Sequence, residues 1–392
     1  MSYILHHIQT VEKLIEKYKS DTPFAVYLKD YFSKNKKHGS KDRKSIAHLC
    51  YTYFRIGNCL KDKNFNIRIK TAVFLCNDTM PQYAEPIFND ENFTWPSTIK
   101  ERILQVKADY SEFDINNIFP TPPEALSEGI DIEQFMAQHL VQPKLFIRIR
   151  PHKSAAVLNK LNAANIVFEL IEDNCLVLDN KTSIDGLLKI NEDVVIQDYS
   201  SQKIATLFSY LPKSSGLKVW DCCAASGGKS MLLWDNVPNI YLTVSDIRQS
   251  IISNLQERFT KAGIKNYHHF VGDASQKSNS SNQVNFDVVI ADVPCTGSGT
   301  WSRTPEYLST FKTDTIKAFT DKQTRIINNV ADRVNKNGFL IYITCSALKA
   351  ENEIIVDDML TKNPEFRLLH QQIFAGYNHH ADTMYAAILQ KK

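Results

Sequence analysis

The sequence contains no long hydrophobic segment. No apolar stretch in the 392 residues approaches the roughly 18 residues that a membrane-spanning helix requires. Residues 1–7 also lack the charged region followed by an apolar region that is typical of a secretion signal. We therefore expect a cytoplasmic protein that does not bind a membrane.

Cysteine spacings that bind metal are also missing. The eight cysteines form no C-x-x-C pair, and no cysteine–histidine spacing fits a zinc site. Without a secretion signal, a disulfide framework is also unexpected. The sequence therefore predicts no metal site, and four cysteines are expected to be small buried hydrophobic residues: Cys50, Cys59, Cys76 and Cys175.

The net charge is small, +3 at pH 7, which excludes a uniformly basic nucleic-acid-binding chain. Contacts with RNA would have to come from local basic segments. One such segment is a predicted turn that contains Lys34, Lys36, Lys37, Lys41, Arg43 and Lys44. The other is a predicted strand at 145–150, in which Arg148 and Arg150 share one face because strand side chains alternate. A solvated face and a charged edge strand are the respective alternative interpretations.

The chain is long enough for two or three domains. Residues 1–80 have apolar residues at helical spacing, and cap candidates at 20–23 precede a helix predicted at 24–32. Prolines between positions 81 and 123 predict short helices joined by irregular segments. Residues 143–195 predict a small unit of strands with one helix.

Beyond about residue 197 the pattern changes to alternating strands and helices. Apolar segments predict seven strands, at 218–222, 241–245, 268–271, 286–291, 338–344, 366–373 and 383–389. Helical stretches separate the first five, and a polar loop is predicted at 275–285. This alternation predicts an α/β fold, with a parallel sheet that has helices on both faces.

Small and acidic residues follow the ends of these predicted strands, where open parallel sheets bind ligands. Residues 223–229 form a small-residue turn that lets a ligand approach the backbone at the start of a helix. Asp246 comes 19 positions after Gly227, a spacing that suits a ribose diol. Asp273 is placed to accept a hydrogen bond from an adenine amino group or another polar edge. These positions favour a nucleotide-type cofactor.

Two cysteines also follow predicted strands. Cys295 comes shortly after the strand at 286–291, and Cys345 directly follows the strand at 338–344. Because neighbouring strand ends lie close together in a parallel sheet, we expect the two thiols to converge. Two thiols beside a cofactor favour covalent chemistry on a bound substrate, and a pair of plain core cysteines is the alternative.

A phosphate-binding loop is a competing interpretation of the glycine-rich turn. Residues 227–230 resemble the end of such a loop, and 288–292 resemble a strand that ends in a magnesium-binding aspartate. The motif G-x-x-x-x-G-K-[ST], however, requires a glycine at the position of Cys223. We therefore disfavour a nucleotide triphosphatase.

The ordered motifs closely resemble those of the Sun/Fmu-type RNA (cytosine-5)-methyltransferases. The resemblance rests on residues 221–230 (DCCAASGGKS), 246–247 (DI), 272–274 (GDA), 292–301 (DVPCTGSGTW) and 342–346 (YITCS), with 197–202 (QDYSSQ) similar to the lead-in of that family. It extends from about residue 143 to the C-terminus. More weakly, residues 23–43 resemble the NusB-type helical domain of some members.

The resemblance implies three domains and one cofactor. A helical, NusB-like RNA-binding domain at 1–135 would precede a small α/β RNA-binding subdomain at 143–196 and a Rossmann-like catalytic domain at 197–392. The cofactor would be S-adenosyl-L-methionine, bound by the positions that match the family: Cys223, Ala224, Ala225, Ser226, Gly227, Gly228, Lys229, Asp246, Asp273 and Asp292. Two departures are Ser226 where the family usually has proline and Arg150 where it usually has asparagine.

The resemblance also implies that Cys345 is the nucleophile and that Cys295 helps to release the product. A Cys345 thiolate that adds to carbon 6 of cytosine would make carbon 5 nucleophilic toward the methyl group. Asp292 could hold or protonate the ring near nitrogen 3, and Lys229 is a candidate cation to favour the thiolate.

The sequence thus predicts a monomeric RNA 5-methylcytosine methyltransferase that acts on ribosomal RNA, since the helical domain accompanies that class. Transfer RNA is the alternative substrate. A non-catalytic RNA-binding assembly factor with the same fold is the alternative function, which the two intact thiols disfavour.

Overall fold

A computed structural model of the chain describes residues 3–88, 94–213, 215–277 and 284–392. The fold divides into two compact units. The helical unit comprises Met1–Glu124, Asp131–Gln142 and Trp301–Thr313. The sheet unit comprises Ala125–Ile130, Pro143–Thr300 and Asp314–Lys392.

The described residues form helices and strands with the following bounds. The helices are α1 (Tyr3–Lys17), α2 (Phe24–Lys34), α3 (Ser40–Arg55), α4 (Phe65–Leu75), α5 (Ile99–Asp109), α6 (Ile132–Gln138), α7 (Ser154–Ala163), α8 (Tyr199–Lys203), α9 (Gly228–Asn236), α10 (Gln249–Lys261), α11 (Tyr307–Thr310), α12 (Ile316–Ala331) and α13 (Glu353–Lys362). The strands are β1 (Leu145–Ile149), β2 (Glu169–Ile171), β3 (Cys175–Leu178), β4 (Val194–Ile196), β5 (Lys218–Asp221), β6 (Tyr241–Asp246), β7 (Tyr267–Val271), β8 (Phe286–Asp292), β9 (Val334–Thr344), β10 (Phe366–Ala375) and β11 (Thr383–Lys391).

Helix α2 begins as predicted, but its start is stabilised differently from the prediction. Pro23 occupies the cap position and makes no side-chain cap hydrogen bond. Instead, the backbone N–H of Phe24 donates to the carboxylate of Glu306, at 3.2 Å. The predicted caps at 20–22 are therefore wrong, because a residue distant in sequence satisfies the helix end.

The basic residues predicted to lie in one turn are divided among the end of α2, the connection that follows it and the start of α3. Lys34 ends α2, and α3 begins at Ser40, so Lys41 lies in the first turn of α3. Lys34 forms an ion pair with Asp30. Four other lysines are exposed and do not pair with Asp30: Lys36, Lys37, Lys41 and Lys44. The exposed positive charge of the prediction is therefore present in the helical unit.

A segment from the middle of the catalytic region belongs to the helical unit. Trp301 is only 1% exposed, and its ring lies 5.0 Å from that of Phe119 and 4.7 Å from that of Phe311. The guanidinium of buried Arg55 donates to the carbonyl oxygens of His139 and Ser302, at 2.9 and 3.1 Å. Residues after position 300 thus complete the core of this unit.

The first sheet of the sheet unit has four antiparallel strands in the order β2-β3-β1-β4. Strand β1 lies inside this sheet, so the edge-strand interpretation of 145–150 is wrong. The side chain of Arg148 is 2% exposed and lies 2.6 Å from Asp235, and Arg150 lies 2.7 Å from the same carboxylate. The predicted phosphate-contacting face is therefore also wrong, because both cations are bound to a buried aspartate.

The second sheet has seven strands in the order β10-β11-β9-β8-β5-β6-β7. Strands β5 to β9 are parallel, and β10 and β11 are antiparallel. Alternate residues of β8 are buried in two separate cores, Val288 and Ile290 on one face and Val289 and Ala291 on the other. Burial on both faces explains why these strands are apolar without alternation. The predicted fold class is confirmed.

Within the described ranges, no helix has the length and hydrophobicity to cross a bilayer. The same ranges contain no group of three or more His, Cys, Asp or Glu side chains that could hold a metal ion. The predicted polar loop at 275–285 falls in part outside the described residues, at 278–283.

Candidate active site

The glycine-rich turn connects β5 to α9 through a tight bend. Gly227 has a φ of +84°, and a Cβ at this position would lie 2.5 Å from the ring of Phe259. Glycine is therefore required for both its backbone conformation and the close packing of α10. Arg258 donates to both the carbonyl and the hydroxyl of Ser226, at 2.8 and 2.7 Å. Serine in place of the family's usual proline thus has a fixed partner in Arg258.

The strand before this turn ends in a buried acid. Asp221 is 0% exposed and accepts a hydrogen bond from Ser230, at 2.5 Å. Burial raises the pKa of Asp221 to about 7. The negative charge of Asp292 also raises this pKa, whereas the hydrogen bond from Ser230 lowers it. The sequence analysis did not single out Asp221, although it opens the recognised motif.

The two acids predicted to contact the cofactor lie at the ends of β6 and β7. The Asp246 carboxylate accepts from the backbone N–H of Ala225, at 3.2 Å, and from the backbone and side chain of Arg248, each at 3.0 Å. Asp273 accepts from the backbone N–H and hydroxyl of Ser275, at 2.9 and 2.7 Å. Burial opposes ionisation of both acids, but these hydrogen bonds outweigh it and lower the pKa of each.

Lys229 joins the turn to the end of β8. Its ammonium lies 3.2 Å from the Asp292 carboxylate and donates to the Ser201 hydroxyl, at 2.9 Å. The same hydroxyl accepts from the amide of Gln197, at 3.2 Å. The sequence analysis missed Ser201 as a site residue, although it lies inside the segment 197–202 that carried part of the resemblance.

The two thiols converge as predicted. The Sγ atoms of Cys295 and Cys345 are 3.3 Å apart, although the residues are 50 positions apart, and both residues are partly exposed. Contact with Cys345 raises the pKa of Cys295, and burial and the nearby charge of Glu351 raise it further. Cys295 therefore favours its neutral thiol form.

A glycine brings the two thiol-bearing loops together. The backbone N–H of Gly299 donates to the carbonyl of Cys345, at 2.9 Å. A Cβ on Gly299 would overlap the carbonyl oxygen of Thr383. Any larger residue at position 299 would therefore push the Cys295 loop away from Thr383 at the start of β11.

The sequence analysis missed a buried glutamate beside these loops. Glu351 is 0% exposed and accepts hydrogen bonds from Thr296 and Ser346, the residues that directly follow the two cysteines. A usable indication was present in the sequence, since Glu351 begins a Glu-Asn-Glu run six positions after Cys345.

Comparisons with known proteins agree with this geometry. Residues 208–390 match the family model described as 16S rRNA methyltransferase RsmB/F. The probable ribosomal RNA small subunit methyltransferase B of Bacillus subtilis is 29% identical over 240 residues, which cover 60% of this chain and 53% of the relative. The corresponding enzyme of Pasteurella multocida is 26% identical over 236 residues, covering 58% of this chain and 52% of the relative. The chain thus spans about half the length of these curated relatives.

Solved structures share the fold at lower sequence identity. The crystal structure of PH0851 has a TM-score of 0.67 and 18% identity, and the match covers 99% of this chain and 98% of that one. The structure of NSun6 from Pyrococcus horikoshii has a TM-score of 0.57 and 15% identity, covering 67% and 94%. The recognised resemblance is confirmed for residues 208–390, which match the RsmB/F methyltransferase family model.

Proposed function

We propose that this protein transfers the methyl group of S-adenosyl-L-methionine to carbon 5 of a cytosine in ribosomal RNA. The observation that carries the proposal is the pair of thiols, Cys295 and Cys345, whose sulfur atoms are 3.3 Å apart. They follow neighbouring strands of a methyltransferase sheet, at the edge where such sheets bind ligands.

The residues at this edge fit a nucleoside cofactor. Gly228 has open space where a Cβ would stand, so a ligand can approach the backbone at the start of α9. Asp246 and Asp273 provide ionised acceptors for hydroxyl and amino groups. The predicted cofactor residues, Cys223 to Lys229 together with Asp246, Asp273 and Asp292, would hold this group. When bound, the cofactor supplies a methyl group on a positively charged sulfur.

Carbon 5 of cytosine is a poor nucleophile, and Cys345 overcomes this. Its thiolate forms a bond to carbon 6, and the ring electrons move so that carbon 5 becomes enamine-like and takes the methyl group. Loss of the carbon-5 proton and cleavage of the sulfur–carbon bond then release the product. Cys295 lies next to Cys345 and assists this release as an acid or base.

Asp292 and Lys229 support the addition step. Asp292 is partly exposed at the end of β8, which suits a carboxyl that holds or protonates the cytosine ring near nitrogen 3. Lys229 is 7% exposed and lies 3.2 Å from Asp292. Its charge fixes the orientation of the carboxyl group.

Ribosomal RNA is the substrate that the comparisons support. The matched family and the two curated relatives are described by their action on small-subunit ribosomal RNA. Exposed Lys36, Lys37, Lys41 and Lys44 of the helical unit provide positive charge for an RNA backbone. We place the activity in the cytoplasm. We propose a monomer as the active form.

The test is methyl transfer in vitro followed by mapping in cells. The purified protein is incubated with S-adenosyl-L-methionine and small-subunit RNA, with transfer RNA as the competing substrate, and 5-methylcytosine is measured. Bisulfite sequencing then compares RNA from cells with and without the protein. We expect one or a few cytosines of small-subunit RNA to lose methylation. Methylation of transfer RNA alone, or cofactor binding without transfer to any RNA, would contradict the proposal.

A further inference from the structure

We propose that Glu351 is a positioning residue for the reaction, whose ionised carboxylate holds the two thiol-bearing loops together. This inference rests on the proposed function and adds a residue to it. Glu351 lies at the end of the 3-10 turn Lys349–Glu351, before α13. It touches neither sulfur in this role and acts through the residues next to them.

The Glu351 carboxylate accepts four hydrogen bonds. One oxygen accepts from the backbone N–H of Thr296 and from the side-chain amide of Gln323, both at 2.9 Å. The other accepts from the hydroxyls of Thr296 and Ser346, both at 2.5 Å. The donors come from the Cys295 loop, the Cys345 loop and α12. One side chain thus connects three elements of the sheet unit.

This arrangement fits the ionised form of Glu351. A carboxylate has about four lone-pair positions for hydrogen bonds, and four neutral donors occupy them here. A protonated carboxyl group would require one of the two hydroxyls to turn and accept its hydrogen. Because the group is completely buried, the four hydrogen bonds also replace the water that an ionised group loses.

The position of these bonds sets the distance between the thiols. Thr296 directly follows Cys295 and Ser346 directly follows Cys345, so each thiol is one residue away from a bond to the same carboxylate. A contact between the hydroxyls of Ser298 and Ser346, at 3.0 Å, adds a second connection between the loops. The 3.3 Å between the sulfurs therefore depends on Glu351.

The charge of Glu351 also acts on Cys295. The groups that face Cys295 are the Cys345 thiol and the Glu351 carboxylate, and the Tyr342 hydroxyl lies in the same electrostatic environment. Negative charge on Glu351 disfavours a thiolate at Cys295. The Cys295 thiol beside this carboxylate therefore favours its neutral form.

The neighbouring Glu353 provides a matched control. It is also buried, at 7% exposure, but its carboxylate accepts from Ser127 and from the backbone N–H of Glu128, at 2.9 and 3.2 Å. Neither residue belongs to a thiol-bearing loop. Glu353→Gln therefore removes a buried charge from the same helix start without removing a bond to either loop.

The first experiment measures thiol chemistry without RNA. In a Cys345→Ser background, the rate of Cys295 alkylation by iodoacetamide is followed against pH by peptide mass spectrometry. We expect Glu351→Gln to lower the midpoint of the pH–rate curve by at least about half a pH unit. At pH values below the midpoint, this shift makes alkylation roughly threefold faster. An unchanged midpoint, or the same shift in Glu353→Gln, would overturn the inference. This result does not depend on whether the protein methylates RNA.

The second experiment measures catalysis with full-length protein and the RNA substrate. We expect Glu351→Gln to lower kcat by roughly 10- to 100-fold with KM for RNA and cofactor nearly unchanged, because misplaced reacting groups slow the chemical step. Glu353→Gln should keep kcat within about twofold. A raised KM with normal kcat, or equal losses in both variants, would overturn the positioning role.

A milder variant covers the case in which Glu351→Gln does not fold. Thr296→Val keeps the side-chain volume and the Glu351 charge but removes one hydroxyl hydrogen bond. We expect kcat to fall severalfold while the Cys295 alkylation midpoint does not decrease. Wild-type kcat in this variant, or a decreased midpoint, would overturn the inference.

Discussion

Two cysteines of the helical unit, Cys50 and Cys59, differ in exposure and in their neighbours from Cys295 and Cys345 of the sheet unit. Cys50 and Cys59 are completely buried in the helical unit, and the Cys59 thiol donates to the carbonyl of Asp114, at 3.2 Å. Burial raises the pKa of Cys50 and raises that of Cys59 to about 12. Cys295 and Cys345 are instead partly exposed at a strand edge, with sulfur next to sulfur.

Under the proposed function, position in the fold and not residue type separates the two groups. Burial raises the pKa of Cys50, Cys59 and Cys295 alike. Only the second pair lies at the carboxyl ends of parallel strands, where substrate and cofactor can approach. Substitution of Cys295 or Cys345 should therefore impair catalysis, whereas substitution of Cys50 or Cys59 should reduce stability.

The largest effect is expected for Cys345→Ala. Loss of the nucleophile should reduce methyl transfer by at least about a thousandfold, because no other group can activate carbon 5. Transfer of radiolabelled methyl groups to RNA measures the loss, and the thermal unfolding of the variant is the control for folding. Retention of methyl transfer would show that Cys345 is not the nucleophile and would remove the distinction drawn here.

Cys295→Ala should have a different effect, on release and not on attack. The covalent bond between Cys345 and carbon 6 would form but break slowly, so that protein–RNA adduct accumulates. A band of reduced mobility on a denaturing gel, sensitive to ribonuclease, is the expected readout. The double variant Cys295→Ala/Cys345→Ala should give no such band. A single variant that turns over normally without adduct would rule out the release role.

The smallest effect is expected for Cys59→Ala, which tests the other side of the comparison. Methyl transfer should stay within about twofold, while the free energy of unfolding falls by about 1–2 kcal/mol through lost packing. Urea unfolding at two pH values measures this change.

The pH dependence of Cys59 has a definite sign. Its thiol ionises near pH 9 when unfolded but near 12 when folded, so its contribution to stability is present below about pH 9 and is lost as the pH rises. The wild type should therefore lose more stability than Cys59→Ala between pH 8 and 10. An equal loss in both proteins would contradict the assignment of Cys59 as a buried, neutral thiol.

Much of the sheet unit could be predicted because its information is local. Strands β6 and β8 begin as predicted, and each extends one residue beyond its prediction, since strands buried on both faces are continuously apolar. The small-residue turn and both thiols followed from their places at strand ends. Strand β9 begins four residues earlier than predicted, at Val334, because its first residues are polar.

The missed features depend on contacts between residues that are distant in sequence. Arg148 is bound to Asp235, 87 positions away, and no local pattern distinguishes this pair from an exposed basic strand. Glu351 accepts a hydrogen bond from Thr296, 55 positions away, and in the sequence a glutamate before a helix resembles a surface residue. Sequence patterns therefore predict buried charges least well when the partners of those charges are distant in the sequence.

The membership of Trp301–Thr313 in the helical unit limits how this protein can be divided. A fragment that starts at Pro143 would carry Trp301 without Phe119, one of the rings that bury it. A fragment that ends before Trp301 would lack Glu306, whose carboxylate accepts the hydrogen bond from the Phe24 N–H. Neither fragment would keep a complete core. Truncation at a single boundary would expose apolar side chains that are normally buried, and such a fragment would be prone to aggregate. Expression and engineering of this protein should therefore keep all three segments of the helical unit in one chain.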